Sequence, residues 1–130
     1  MTEARGAQGT VREFVSRINA HDAAGIVALC TNDHVFVDSL GSQLSGVNQL
    51  ERAWRGYFAL FPDYRVEIAS MVLAGGLVLA CGLAAATHEP SGERWQIPAA
   101  WRAKVVGGRV AEWQVYADNK PVHDIVSRSA

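Results

Sequence analysis

The sequence predicts an α+β domain, with N-terminal helices packed on one face of a mostly antiparallel sheet. Up to Phe61, apolar residues recur at helical spacing. From Arg65 onward, long apolar runs are separated by glycine-containing turns. Helices first and a meander of strands after them is the pattern of helices covering one sheet face. The chain has 130 residues, 49% of them apolar, and shows no repeat or shift in composition. That is one domain with enough chain to bury a core.

Residues 1–9 are small and polar and are expected to be disordered, leaving one domain over residues 10–130. Val11, Phe14, Val15 and Ile18 define the first helix. Thr10 is its expected N-cap, with Glu13 completing a capping box, and it should end near Asn19-Ala20-His21. Asp22 is placed to cap a second short helix carrying Ile26, Val27 and Leu29. His34 to Asp38 reads as a short strand, followed by a turn at Ser39-Leu40-Gly41. Val47 to Phe61 reads as a helix with Leu50, Trp54, Tyr57, Phe58 and Phe61 on one side. Asn48 is in its cap region, and Pro62-Asp63 stops it. Four strands follow: Arg65 to Leu73, Leu77 to His88, Trp95 to Val105 and Arg109 to Tyr116. Gly75-Gly76, Pro90-Ser91-Gly92-Glu93 and Gly107-Gly108 are the turns between them. Val122 to Val126 closes the chain as a short helix or strand.

Composition excludes several function classes. The net charge is −1 and the 12 basic residues are scattered, so nucleic acid is not an expected partner. Met71 to Ala86 is too short and too glycine-broken to cross a membrane. The N-terminus lacks an apolar signal core, which makes a cytoplasmic location the default expectation. Cys30 and Cys81 sit in apolar runs and read as reduced core thiols. His21, His34, His88 and His123 show no metal-ligand spacing, so no metal or cofactor is expected.

Hairpin geometry orders the inward face. With turns at Gly92 and Gly107-Gly108, Ala84 is expected opposite Ala99, and Ala99 opposite Val115. Gly82 is expected beside Trp101, Trp101 beside Trp113, and His88 beside Trp95. One face then carries Gly82, Ala84, Ala86, His88, Trp95, Ile97, Ala99, Trp101, Trp113, Val115 and Ala117. Small residues among large ones leave space for a pocket beneath the helices, bounded also by Phe14, Ile18, Phe36, Trp54 and Phe58. The other reading is that the alanines let the first helix pack closely over a filled core. The indole N–H groups of Trp54, Trp101 and Trp113 are candidate donors to a ligand, and His88 a candidate proton carrier.

Asp38 carries the most chemistry. It shares an alternating face with Phe36 and Leu40. A carboxylate on an apolar strand face is expensive unless it is paired or used. Burial there would make it a candidate proton shuttle. The other reading is that it ends the strand and caps the following turn.

These segments resemble the ketosteroid isomerase and SnoaL-like members of the nuclear transport factor two superfamily, over roughly Val11 to Asp118. The most specific stretch is Asn19-Ala20-His21-Asp22-Ala23-Ala24-Gly25-Ile26-Val27-Ala28-Leu29, followed by Val35-Phe36-Val37-Asp38 and Gly41. Gly46 before a helix and Gly108-Arg109-Val110 before a last strand with Trp113 match the wider superfamily. The resemblance implies a cone-shaped α+β barrel with a strongly curved sheet, a deep apolar pocket for a small ligand, and a homodimer through the outer sheet face.

The resemblance places the isomerase general base on Asp38. Its oxyanion-hole tyrosine falls on Phe14, which has no hydroxyl. Its protonated aspartic acid falls on or beside Ala99, and neither Pro98 nor Ala100 carries a carboxyl. Its supporting tyrosine falls near Trp54. The base is kept and the oxyanion hole is lost. One such donor is worth about 3 kcal/mol in the transition state, so efficient steroid isomerisation is not expected. Limonene epoxide hydrolases of the same fold need an Asp-Arg-Asp set where this chain has Ala84, Gly82 and Val115. SnoaL-like polyketide cyclases use an aspartate near the last strand, which makes Asp118 a second catalytic candidate. Strict alternation turns Asp118 away from Trp113, and a turn residue before Asn119-Lys120-Pro121 is the other reading. The expected function is a proton-transfer isomerase or cyclase acting on an apolar carbonyl compound. A non-catalytic ligand-binding or dimerisation module is the alternative.

Overall fold

The computed structural model describes residues 2–128, with side chains from residue 6 onward. The first helix, α1, spans Thr2–Asn19 and is broken at Gly6, where φ is 64°. It therefore starts before Thr10. Thr10 is a buried residue inside it, its hydroxyl donating to the Gly6 carbonyl at 3.1 Å, and not a cap. Glu13 pairs with Arg17 at 2.9 Å in place of a capping box. The short helix α2 (Ala23–Ala28) is capped as expected, Asp22 accepting from the Gly25 N–H at 2.9 Å. α3 spans Val47–Leu60; Gly46 is its N-cap, and no side chain of the Asn48 region caps it. α4 spans Lys120–Arg128, so the C-terminal segment is helical.

Six strands form one sheet: β1 (Cys30–Val37), β2 (Gln43–Ser45), β3 (Arg65–Ala74), β4 (Leu77–Thr87), β5 (Arg94–Val106) and β6 (Arg109–Ala117). Their order is β2-β1-β6-β5-β4-β3. β1 and β6 run parallel, and the other neighbours are antiparallel. The sheet is curled but not closed, so the α+β class holds with an open sheet in place of a complete barrel. β2 has no counterpart in the sequence reading, because three residues between two turns carry no period.

Every inward residue keeps the expected side, but the register moves by two. Ala84 pairs with Ile97 and Ala86 with Trp95, because the β4–β5 loop is centred one residue earlier than Gly92 suggested. Trp101 pairs with Val115, and Ala103 with Trp113. There one residue of the shift comes from the turn, which pairs Val106 with Arg109, and the other from a bulge between Lys104 and Val105. A shift of two preserves the face because strand side chains alternate with period two. Gly82 pairs with Ala99 and is needed for a different reason than pocket space. A Cβ there would collide with the Glu67 carbonyl, where β3 bulges between Ile68 and Ser70.

The core lies between α1, α2 and the inward sheet face. Phe14 packs on Trp113 with ring centroids 4.8 Å apart. Asn19 at the end of α1 ties down edge strand β3, accepting from the Val66 N–H at 2.8 Å and donating to its carbonyl at 3.0 Å. Cys30 is buried as expected, and burial pushes its thiol up to about 12. Cys81 is exposed on the outer face, paired across the strands with Ala100, and is not a core thiol. No described helix is long and apolar enough to cross a membrane.

Candidate functional site

A cavity of about 300 Å³ opens between α3 and the inward sheet face. β1 ends at its mouth with Phe36 and Asp38; β2 adds Leu44. α3 contributes Leu50, Ala53, Trp54 and Tyr57, the one-side spacing expected of this helix. The sheet supplies Ala84, Trp95, Ile97, Ala99, Trp101, Trp113, Val115 and Ala117. Ala99 faces Ala117 across the strands, and these small lining residues leave the space open. Trp101 and Trp113 stack along one wall, with ring centroids 6.3 Å apart and planes 22° apart.

Asp38 combines both readings open to it. Its Oδ1 accepts from the Leu40 and Ser42 N–H groups, each at 2.9 Å, which fixes the turn after β1. The same residue lines the cavity. Its Oδ2 accepts no hydrogen bond from the described residues. Beside it, Asn119 donates to the Ser39 hydroxyl at 2.7 Å, and both residues reach the cavity.

Phe36, Trp54, Ala84, Ile97, Ala99, Trp101, Trp113 and Val115 line the cavity together with Asp38. The remaining candidates stand elsewhere. Asp118 is exposed and accepts from the Lys120 N–H at 3.0 Å, so it closes the turn into α4. Phe14 and Ile18 are fully buried under α1, away from the cavity lining. Phe58 stacks on the half-buried His21 at 4.3 Å with nearly parallel rings and does not line the cavity. His88 is buried at the β4–β5 turn, with Nδ1 2.8 Å from the Ser91 hydroxyl, and does not face a ligand. His34, at the start of the stretch read as a strand, is buried with Nδ1 2.7 Å from the Val110 carbonyl. Burial lowers its pKa, against the opposing pull of that carbonyl and of Asp33 and Glu112.

Tyr57 and Tyr64 are lining residues the sequence reading did not place in the site. Tyr57 carried a signal, since it lies seven residues after Leu50 on the apolar side of α3. Tyr64 carried none, because it sits in the irregular link before β3. Their rings meet edge to face at 5.0 Å. Burial pushes both phenols well above their ordinary pKa, so both stay protonated and able to donate. No group of three or more histidine, cysteine or acidic side chains among the described residues is arranged to hold a metal.

Solved structures share this fold. One is a protein from Shewanella denitrificans OS-217, provisionally named a SnoaL-like polyketide cyclase. It is 18% identical over 93% of this chain and 96% of its own, with a TM-score of 0.80. AclR from Streptomyces galilaeus, provisionally named a hydroxylase, is 20% identical over 98% of each chain, with a TM-score of 0.79. IdmH from Streptomyces antibioticus, provisionally named a polyketide cyclase, is 20% identical over 92% of this chain and 97% of its own, with a TM-score of 0.76. No curated protein matches the sequence. The SnoaL-like domain family matches residues 11–113, most of the chain and nearly all of the sheet. The chain belongs to the SnoaL-like domain family.

Proposed function

We propose that the cavity takes a small apolar carbonyl compound and that Asp38 moves a proton on it, as in an isomerisation or an aldol-type cyclisation. The observation that carries this reading is a single carboxylate in a mostly apolar and aromatic cavity, with one oxygen held by the turn and the other without a partner among the described residues. A carboxylate fixed by backbone donors is preorganised, which is what a general base needs. The proton passes from the carbon next to the carbonyl to Oδ2 of Asp38 and returns to the substrate from it, so the transfer balances without a further reactant. The provisional names of IdmH and the Shewanella protein, polyketide cyclases, are compatible with a cyclisation of this kind, whereas that of AclR, a hydroxylase, names a different reaction. The absence of a hydroxyl at Phe14 and of a carboxyl at Ala99 argues against efficient steroid isomerisation.

The test is deuterium uptake next to the carbonyl in a panel of cyclic and bicyclic ketones, with native protein and Asp38→Asn. Asparagine keeps the acceptor for the Leu40 and Ser42 N–H groups and loses the ability to take a proton. Exchange that disappears in the variant supports the reading; exchange at an unchanged rate removes Asp38 from the mechanism.

A second reading, a binding module without turnover, is favoured by the use of Oδ1 in the turn and by the missing oxyanion donors. It predicts ligand affinity that is the same in Asp38→Asn, with no exchange. Under either reading the partner is a second copy, joined through the outer sheet face. Leu79, Leu83 and Tyr116 are exposed there at 41%, 36% and 48%, beside Cys81. Sedimentation of Leu83→Glu against native protein tests this, with a dimer expected only for the native chain.

A further inference from the structure

Three features of the cavity limit what can fill it. Its volume is about 300 Å³. An apolar protein cavity of about 150 Å³ holds one benzene ring, so this one suits a two-ring compound rather than a four-ring steroid. Its lining is almost wholly apolar except at two places. One is the mouth, with Asp38, Ser39 and Asn119. The other is the wall where α3 ends and the chain enters β3, with Tyr57 and Tyr64.

The tyrosine wall holds donors without acceptors. Neither hydroxyl makes a hydrogen bond to the described residues. The neighbouring Trp95, with its ring 6.1 Å from Tyr64, also has a buried indole N–H without a partner. Buried polar groups in folded proteins are almost always paired, and one left alone costs its full desolvation. Only the Trp95 N–H is a buried donor left alone; the hydroxyls of the half-buried Tyr57 and Tyr64 stand beside it on the cavity wall, open to an acceptor that a ligand would bring. Asp38 does not supply it: its Oδ1 is held by the Leu40 and Ser42 N–H groups, and no hydrogen bond joins it to either tyrosine.

Resting on the ligand-cavity reading above, we infer that Tyr57 and Tyr64 form the oxygen-binding end of the site, and that its ligand is a neutral two-ring ketone held with the carbonyl on these hydroxyls. The ketone oxygen accepts from one or both hydroxyls, and its rings lie between the Trp101–Trp113 wall and α3. Protonated phenols are competent donors to a ketone oxygen. This places donors at a point in the fold different from both Phe14 and Ala99, the positions where the isomerase donors are missing.

The test uses 2-tetralone and tetralin, which share two rings and differ in the ketone oxygen. Affinity of each is measured by titration calorimetry for native protein and for Tyr57→Phe/Tyr64→Phe. Loss of the hydroxyls is expected to weaken 2-tetralone about tenfold, the value of one well-made hydrogen bond, and to leave tetralin unchanged. Equal 2-tetralone affinity in both proteins overturns the inference while tetralin binding keeps the cavity reading standing. Binding of neither compound to native protein overturns the cavity reading and this inference with it. The native protein alone gives a second readout, independent of how the variant folds: the infrared carbonyl stretch of bound 2-tetralone. A stretch below that of the ketone in hexane supports the hydroxyl contact, and a hexane-like stretch overturns it.

Discussion

Ala99→Leu separates an open cavity from a filled core by the sign of its effect. Ala99 points inward from β5, with Gly82 and Ala117 as its cross-strand neighbours, so no bulky side chain stands directly opposite it on either neighbouring strand. Leucine adds three carbons. Each buried carbon contributes about 0.8 kcal/mol, and fixing the new side chain costs about 0.5–1 kcal/mol. The net expectation is stabilisation of about 1.5 kcal/mol, a rise in Tm of roughly 5 °C for a domain of this size. The same side chain projects into the ligand space and should abolish binding of a bicyclic ketone. Thermal unfolding followed by circular dichroism gives the first quantity, and calorimetric titration with 2-tetralone the second. A filled core would behave oppositely, since overpacking costs about 1–3 kcal/mol. A variant that unfolds at lower temperature than the native chain refutes the reasoning about the cavity.

Other perturbations test the surrounding structure. Phe14→Tyr puts a hydroxyl into a fully buried site packed on Trp113; it should lose about 1–3 kcal/mol in urea unfolding and gain no steroid isomerase activity. Asn19→Ala removes both hydrogen bonds to Val66 on the edge strand and should destabilise by about 1–3 kcal/mol by the same assay. His34 has a folded pKa below its ordinary value because it is buried, so the unfolded chain protonates first as pH falls. Its contribution to stability is complete above about pH 6.5 and is lost progressively below it, by at most about 1.4 kcal/mol per pH unit. Urea unfolding between pH 7.5 and 5.0 should show that slope in the native chain and a shallower one in His34→Gln.

The strands were legible because their period of two survives any even error in register. β4, β5 and β6 therefore kept every inward residue on its expected side while their partners moved by two. The bulge between Lys104 and Val105 leaves no mark in a pattern of apolar residues, so sequence alone could not place it. Histidines were the weakest point. In sequence His88 is a candidate proton carrier on the pocket face and His34 only the start of a strand, yet both are buried, and the partner of His34 is one that only the fold supplies. For His34 that partner is a carbonyl 76 positions away. Asp38 was legible as a residue of interest because its face was apolar. Tyr64 was not, because no periodicity reaches the link between α3 and β3.

The central claim is that the concave side of the sheet is where a small apolar ligand binds. Alanine-methyl NMR of the native protein, titrated with 2-tetralone, tests it most directly. The methyls of Ala84 and Ala99, which line the cavity, are expected to shift together and saturably, while that of outward-facing Ala100 stays in place. Shifts confined to Ala100 and other outer-face alanines, with Ala84 and Ala99 unmoved, would contradict the account.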